Sequence, residues 1–186
     1  VGFIIYNSFG KGYGLTANES YRQVVLTAAG SLATRYSPVV GCTRSWGSSG
    51  DSTFVVIIDN MMNLELLFWG ARNGGNSQWY DMAVSHALKT RQNHVRSDGS
   101  TYHVVEYDPN SGAVLKRRTQ QGYSDSSTWS RGQAWAVYGF TMAYRETGDT
   151  DFLEIAQNTA DYFLSHLPAD HVPLWDFDVP PSDSRP

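Results

Sequence analysis

Residues 75–87 read GNSQWYDMAVSHA, and residues 148–160 read GDTDFLEIAQNTA. Each segment opens with glycine and polar residues, then carries an aromatic residue followed by alanines at four-residue spacing. Residues four apart share one face of a helix, and small residues on that face let two helices approach closely. Tyr21, Val25 and Ala29 keep the same rhythm. The repeat predicts an all-α fold of antiparallel helical hairpins in an α/α toroid, with functional residues in the loops at one rim.

Apolar spacing predicts five helices and one small β-hairpin in a single domain of residues 1–186. The helices are expected at residues 16–36, 55–72, 76–94, 128–147 and 150–167. Residues 54–58 also suit a strand because four of the five are β-branched, but one buried helix over 55–72 accounts for the whole apolar stretch. Alternating residues at 101–107 and 113–117, around a turn at 108–112, predict the hairpin.

The composition argues against several classes of function. The 186-residue chain has a formal net charge of −4 and no basic run, so nucleic acid is not expected as a partner. A membrane is not expected either, because no stretch of about 18 apolar residues is present. The five histidines show no ligand spacing, and no phosphate-binding glycine loop occurs, so neither a metal nor a cofactor is expected.

Cys42 is the single cysteine, so an internal disulfide cannot form. A lone thiol is most often buried in a core, and it suits a reducing compartment. We therefore expect a buried Cys42 and a cytoplasmic location. The periplasm is the alternative, since the chain opens at Val1 without a starting methionine and a leader segment would not be visible.

Asp59 stands in the apolar segment FVVIIDNMMNL of residues 54–64. A carboxylate buried there must be paired, hydrogen-bonded or protonated, because burial penalises its charge. Burial also raises its pKa, which suits a general acid near neutral pH. The alternative is a structural aspartate that caps the helix or bonds to Asn60 or Asn63.

Further candidates lie in the segment TQQGYSDSSTWSRGQAW of residues 119–135. Arg131 and Trp135 are four residues apart at the start of a predicted helix, so they share a face. A guanidinium can hold a carboxylate while an indole stacks on a sugar ring. The alternative is a capped helix whose aromatic residues pack inward. Trp46, in a loop of Gly and Ser, is either a sugar platform or a loop anchor.

Several segments together resemble the unsaturated glucuronyl hydrolases. They are residues 57–64 (IIDNMMNL), 98–103 (DGSTYH), 107–109 (YDP), 121–136 (QGYSDSSTWSRGQAWA) and 172–180 (VPLWDFDVP). They occur in one order and span nearly the whole chain. The resemblance implies a six-hairpin α/α barrel, of which this chain would form a part.

The resemblance also implies an unusual hydrolysis. The substrate would be a glycosaminoglycan-type oligosaccharide left by a polysaccharide lyase, whose terminal glucuronic acid carries a C4=C5 double bond. A carboxylic acid protonates C4, positive charge develops at C5 and the ring oxygen, and water adds at C5. The resulting hemiketal opens and releases the rest of the oligosaccharide. Standard glycosidases act at the anomeric carbon instead.

The expected roles of single residues also come from the resemblance. Asp59 corresponds to the general acid/base of the family, and Arg131 and Trp135 correspond to residues that contact the unsaturated sugar. The other expected substrate-binding residues lie near that sugar or line the next subsite: His103, Thr119, Gln121, Arg117 and Trp46.

The chain departs from the family at its start. Family members have a second aspartate, in a His-Asp pair just before Gly-Phe, whereas Val1 precedes Gly2-Phe3 here. We therefore expect about half of a family member, which self-associates or is completed by other segments. Two other functions stay open. One is an unsaturated rhamnogalacturonyl hydrolase-like enzyme, and the other is a carbohydrate-binding fragment without catalysis.

Overall fold

Helices form most of the chain in the computed structural model, which describes residues 1–180. They are α1 (Gly2–Ile5), α2 (Lys11–Thr16), α3 (Glu19–Ala33), α4 (Leu64–Arg72), α5 (Gln78–His94), α6 (Ser130–Thr147) and α7 (Thr150–Ser165), with a π-helical turn at Tyr6–Gly10 and a 3₁₀ helix at Ile58–Asn63. The strands are β1 (Tyr36–Ser37), β2 (Cys42–Thr43), β3 (Phe54–Ile57), β4 (Val104–Tyr107) and β5 (Val114–Arg118). None of the described helices is both long and apolar enough to cross a bilayer. Residues 181–186 of the predicted domain lie outside the described part.

The second repeated segment forms the turn between α6 and α7, as predicted. Gly148 ends α6 in a left-handed conformation (φ 73°), and the Asp149 side chain caps α7 by accepting from the Asp151 amide. The rings of Phe140 and Phe152 stack across the hairpin with centroids 6.3 Å apart. The glycine and the aspartate therefore set two neighbouring helices side by side.

Small residues bring the other helices together. A Cβ atom on Gly70 would lie 3.0 Å from the Ala29 Cβ and 2.9 Å from the Trp79 ring, so α3, α4 and α5 meet at this glycine. Ala83 and Ala87 on α5 are fully buried. The small residues at four-residue spacing thus lie where the helices of the hairpins contact each other. Helices α3 to α7 share one apolar core.

Residues 54–63 do not form the predicted helix. Phe54–Ile57 is strand β3 and Ile58–Asn63 is a 3₁₀ helix, so α4 begins only at Leu64. The prediction of one helix over 55–72 is wrong in its first half. The β-branched residues before Asp59 form a strand because they pair with β4. The hydrophobicity of the segment alone does not reveal this pairing.

The predicted hairpin is part of a three-stranded antiparallel sheet in the order β3–β4–β5. One face of the sheet buries Val56, Val105 and Tyr107. Cys42 is a fully buried free thiol in the same apolar cluster, as predicted. The opposite face, called the open face below, carries the charged side chains of Glu106, Lys116 and Arg118 beside the apolar side chains of Val55 and Ile57.

The sheet ends next to Asp59. Its last cross-strand hydrogen bond runs from the amide of Ile58 to the carbonyl of His103 (2.9 Å). Asp59 and His103 therefore leave the sheet at the same edge, from neighbouring strands. Backbone pairing alone holds these two residues together, whatever their side chains are.

An unpredicted N-terminal helical segment packs against the 3₁₀ helix. The Gly2 amide donates to the side-chain oxygen of Asn63 (2.7 Å), and a Cβ on Gly2 would lie 2.6 Å from the Asn63 Cα. Glycine at this position therefore permits the contact. The contact also carries Phe3 to the Trp135 ring, with centroids 6.1 Å apart.

Large apolar side chains are exposed toward both ends of the described chain. On the N-terminal helices, Val1, Ile4 and Leu15 are 59%, 64% and 88% exposed. Near the end of α7, Leu164 is 64% exposed. Exposed large apolar side chains favour association with another surface when they lie close together.

We expect residues 1–186, expressed alone, to self-associate through these side chains, since apolar burial is worth about 25 cal/mol per Å². Light scattering should give a mass above that of a monomer, and Ile4→Lys combined with Leu164→Lys should lower it. Leu115→Lys, at an exposed position on β5, is the control and should leave the mass unchanged. A stable, cooperatively melting monomer would contradict the expectation.

Two fully buried histidines join α5 to the strands. The Nδ1 atom of His86 accepts from the Thr43 amide (3.0 Å), and the Nε2 atom of His94 lies 3.2 Å from the Val56 carbonyl. Burial is the main cause that lowers the pKa of each ring to about 3. Both rings are therefore neutral in the folded protein.

Folding should weaken as the pH falls below about 6.5, since unfolded histidines take up protons that the two buried rings refuse until about pH 3. At about pH 5 the loss is on the order of 2 kcal/mol per ring. Urea unfolding over this range should show the slope, and His86→Gln should reduce it by about one proton. His171→Asn, at an exposed position, is the control. Identical slopes in the wild type and His86→Gln would argue against the two rings as the cause.

Candidate active site

Asp59 lies in the first turn of the 3₁₀ helix, directly after the sheet. Its side chain is 22% exposed, and its Oδ2 atom has no hydrogen-bond partner within residues 1–180. Burial raises the pKa of this carboxyl, while its own backbone amide, the charge of Arg131 and the indole of Trp135 offset only part of the rise. The carboxyl is therefore shifted toward the protonated form that a general acid requires.

The structural alternatives for Asp59 are not found. The Asn60 side chain donates to the Thr43 carbonyl (2.9 Å), and the Asn63 side chain accepts from the Gly2 amide. No side chain caps the 3₁₀ helix. Asp59 is thus a partly buried carboxyl without a structural partner, which is costly unless it has another use.

His103 faces Asp59 across a short gap. Its Nε2 atom lies 3.7 Å from Asp59 Oδ2, and its ring stacks on Trp129 with centroids 4.3 Å apart. The Nδ1 atom lies 3.2 Å from the Gln120 amide and 3.3 Å from the Gln121 amide. Because a backbone N–H can only donate, Nδ1 is unprotonated and the ring proton sits on Nε2, toward Asp59.

The imidazole of His103 is neutral as well as oriented. Burial, together with the smaller effect of the charges of Arg118 and Arg131, lowers the pKa of His103 to about 4. The ring therefore presents an uncharged N–H donor to the space in front of Asp59.

Arg131 and Trp135 lie in the first turns of α6 and converge on Asp59, as their spacing predicts. The guanidinium of Arg131 lies 4.5 Å above the Trp129 ring and donates to the side-chain oxygen of Gln121. The indole N–H of Trp135 is buried, has no well-formed hydrogen bond within residues 1–180, and is close enough to affect the pKa of Asp59. Both side chains thus offer donors beside the carboxyl.

The loop between β5 and α6 brings Thr119 and Gln121 to the same place. The Thr119 hydroxyl oxygen accepts from the Gly122 amide (2.7 Å) and lies 3.4 Å from His103 Nδ1. Gln121 contributes its amide to His103 and its side-chain oxygen to Arg131. The predicted binding residues Thr119, Gln121, His103 and Arg131 therefore form one connected group.

Arg117 is not brought to this group. Its side chain donates to the Asn93 carbonyl (3.0 Å) on the α5 side of the sheet. The neighbouring Arg118 points to the open face instead, where it pairs with Glu106 (2.6 Å) and lies 6.0 Å from the Trp46 ring. The prediction for Arg117 therefore fails in geometry, because adjacent residues of a strand face opposite ways.

Trp46 lies at the outer border of the site. It is 37% exposed, in the loop between β2 and β3, and the guanidinium of Arg118 lies 6.0 Å from its ring. The loop is held to the sheet where the Ile57 amide donates to the Ser45 hydroxyl oxygen (2.9 Å). An exposed indole on an anchored loop can serve as a platform for a sugar ring.

Relatives of known identity match this chain, although no protein-family model does. Over its whole length it is 44% identical to an unsaturated glucuronyl hydrolase of Formosa agariphila, of which it covers 48%. It is 40% identical to the crystal structure of an unsaturated glucuronyl hydrolase from Bacillus sp. GL1, with a TM-score of 0.93 over 96% of this chain and 48% of that one. A UGL variant with dGlcA-Glc-Rha-Glc has a TM-score of 0.94 at 40% identity, over 99% of this chain and 50% of that one.

The chain belongs to the unsaturated glucuronyl hydrolase family.

The family relationship identifies the architecture to which the hairpins described above belong. They form part of an α/α toroid, as predicted, because the superpositions with solved members cover nearly all of this chain. The chain spans about half the length of the curated relatives it matches. The predicted family relationship and the predicted half-length are both confirmed.

Two residues of the site are absent from the sequence prediction. Trp129 is 5% exposed and separates His103 from Arg131, and Arg118 lies on the open face of the sheet. The register of β5 on β4 places Arg118, and not Arg117, on the open face of the sheet. This register cannot be read from the sequence of β5 alone. Trp129 carries no signal of its own, since an aromatic residue before a helix more often packs inward.

The arrangement joins one raised-pKa carboxyl to three nitrogen donors of different charge. Arg131 can pair with an anionic group, while the neutral N–H groups of His103 and Trp135 can donate to uncharged oxygens. Within residues 1–180, no three or more His, Cys, Asp or Glu side chains are grouped to hold a metal ion. The described groups suit proton transfer to an acidic sugar.

Replacing Arg131 with glutamine should move the alkaline limb of kcat/KM to higher pH. The Arg131 charge stabilises the Asp59 carboxylate, so its loss raises the pKa of Asp59 further and keeps the acid protonated. kcat/KM should also fall about 10- to 100-fold with the loss of a charged hydrogen bond. Arg91→Gln, which removes an exposed ion pair with Asp151, is the control. An unmoved limb in Arg131→Gln would show that this charge does not act on the Asp59 carboxyl.

Proposed function

We propose that the protein carrying this chain removes the terminal 4,5-unsaturated glucuronic acid from glycosaminoglycan-type oligosaccharides left by a lyase. The observation that carries the proposal is the carboxyl of Asp59, which is partly buried, has a raised pKa and lacks a structural partner. The Nε2–H of His103 and the guanidinium of Arg131 lie beside it. These groups match an acid that must protonate a sugar bearing a carboxylate.

Asp59 would act first as an acid and then as a base. Its proton adds to C4 of the double bond, and the positive charge that develops at C5 is shared with the ring oxygen. Water adds at C5 and gives its proton to the Asp59 carboxylate, which restores the acid. The hemiketal at C5 opens to a ketone, and the hemiacetal left at C1 releases the remaining oligosaccharide.

The neighbouring groups would hold the unsaturated sugar in place for this transfer. The substrate carboxylate is conjugated with the C4=C5 bond, so Arg131 binding that carboxylate would place C4 near Asp59. The face of Trp135 and the N–H of His103 would then orient the ring. Trp46, with Arg118 beside it, would contact the next sugar.

The choice of substrate class draws support from the relatives. The enzyme from Bacillus sp. GL1 is responsible for the degradation of glycosaminoglycan, and a solved UGL variant holds dGlcA-Glc-Rha-Glc. We therefore propose a carbohydrate ligand with a terminal unsaturated glucuronic acid. An unsaturated chondroitin or hyaluronan disaccharide should be turned over in preference to an unsaturated rhamnogalacturonan disaccharide. Binding without loss of the double bond would instead favour a non-catalytic role.

Asp59→Asn should lower the rate of double-bond loss about 100- to 10,000-fold while leaving binding of the disaccharide, because an amide cannot deliver the proton. Loss of ultraviolet absorbance from the conjugated bond measures turnover, and calorimetry measures binding. Asp81→Asn, at an exposed position on α5, should keep the wild-type rate. Near wild-type turnover in Asp59→Asn would refute the assignment of the acid.

A further inference from the structure

A second buried carboxylate, that of Asp176, lies behind the active-site loop. Asp176 is fully buried, and its Oδ2 atom accepts from the Tyr123 amide (2.9 Å) and the Ser127 hydroxyl (2.7 Å). Its Oδ1 atom accepts from the Asp178 amide (3.0 Å). No basic group within residues 1–180 pairs with it. Loop donors rather than a counter-charge therefore satisfy this carboxylate.

The loop between β5 and α6 is folded tightly onto Asp176. A Cβ on Gly122 would lie 2.8 Å from Asp176 Oδ2 and 2.6 Å from the Thr119 Oγ1. At the other end of the loop, Arg96 donates to the carbonyls of Ser126 and Ser127 (3.0 and 3.1 Å). The loop thus has little freedom between its two attachments, and the carboxylate is the attachment nearer the site.

The same loop supplies both amides that reach His103. Gln120 and Gln121 directly precede Gly122, and their N–H groups converge on His103 Nδ1. These donors keep the proton of the imidazole on Nε2, which faces Asp59. The position of the loop therefore decides the tautomer presented to the catalytic acid.

We infer that Asp176 is a positioning residue: it holds the loop so that the amides of Gln120 and Gln121 fix His103 as the Nε2–H tautomer beside Asp59. Asp176 touches neither the substrate nor the reacting atoms and acts only through His103. The consequence for turnover rests on the proposed function. The effect on the tautomer does not, because it follows from hydrogen bonds within the protein.

Asp176→Asn keeps the shape of the side chain but turns one acceptor into a donor. Whichever way the amide is placed, an N–H group then faces the Tyr123 amide or the Asp178 amide. An amide nitrogen that faces the Tyr123 amide repels the loop, and one that faces the Asp178 amide leaves the loop only a neutral acceptor, whose hydrogen bonds are weaker than those of the carboxylate. In either case the loop should move away from His103, and the imidazole should populate the Nδ1–H tautomer. Loss of two donors to the neutral ring also eases its protonation, so the acid limb of kcat/KM should move to higher pH. We expect kcat to fall about 10- to 100-fold with a smaller change in KM.

The test measures ¹⁵N ring signals of histidine in the full protein without substrate, with His103→Gln to assign His103, and then the pH profile of turnover. Asp178→Asn is the matched control, since its carboxylate accepts from the Thr128 amide (2.7 Å) and does not contact residues 119–124. It should keep the Nε2–H pattern and the acid limb. A folded Asp176→Asn protein with the wild-type tautomer and acid limb would overturn the inference.

Gly122→Ala is the second variant, and it decides the matter if Asp176→Asn does not fold. It leaves the carboxylate in place but pushes the loop away from it, so the tautomer should change in the same direction. An unchanged His103 pattern in folded Gly122→Ala would also overturn the inference. If the wild type turns over no unsaturated disaccharide, the proposed function fails, whereas the tautomer measurement still decides the role of Asp176.

Discussion

The hydrogen bond from the Ile58 amide to the His103 carbonyl is the contact on which the site depends. It is the last hydrogen bond between β3 and β4, and the chain leaves the sheet next to it on both strands. Asp59 and His103 are therefore neighbours through backbone geometry before any side chain takes part. A shift of one residue in this register would turn the side chains of one strand to the opposite face, so Asp59 and His103 would no longer face each other.

The helices position the side chains that face Asp59 at this end of the sheet. A Cβ on Gly139 would lie 2.4 Å from Met61 Cβ, so α6 approaches the 3₁₀ helix as closely as backbones allow. That approach sets the first turns of α6, with Arg131 and Trp135, opposite Asp59. On the other side, Gly2 packs on Asn63 in the same way. Glycines in helices usually cost stability, and here they bring three helical elements around one carboxyl.

The sequence reveals the parts of this molecule that depend on local pattern. Glycine, aspartate and alanine at four-residue spacing give the hairpins, and the apolar setting of Asp59 marks it as unusual. The features that the sequence does not reveal depend on contacts between residues that are distant in sequence. The strand character of residues 54–57 depends on β4, and the choice of Arg118 over Arg117 depends on the register of β5. The close approach of Gly2 to Asn63 spans 61 residues, so no local pattern could signal it.

The occupied Nδ1 atom of His103 has a consequence for the route that protons can take. In a relay, an imidazole accepts a proton at one nitrogen and releases one from the other. Two backbone amides point at Nδ1, and neither can take a proton onward. His103 therefore cannot relay protons: no proton passes from Asp59 through the imidazole to solvent. In the proposed reaction, protons exchanged by the Asp59 carboxyl would therefore come and go on the substrate side, and access of water to that side would set how the acid is reprotonated between turnovers.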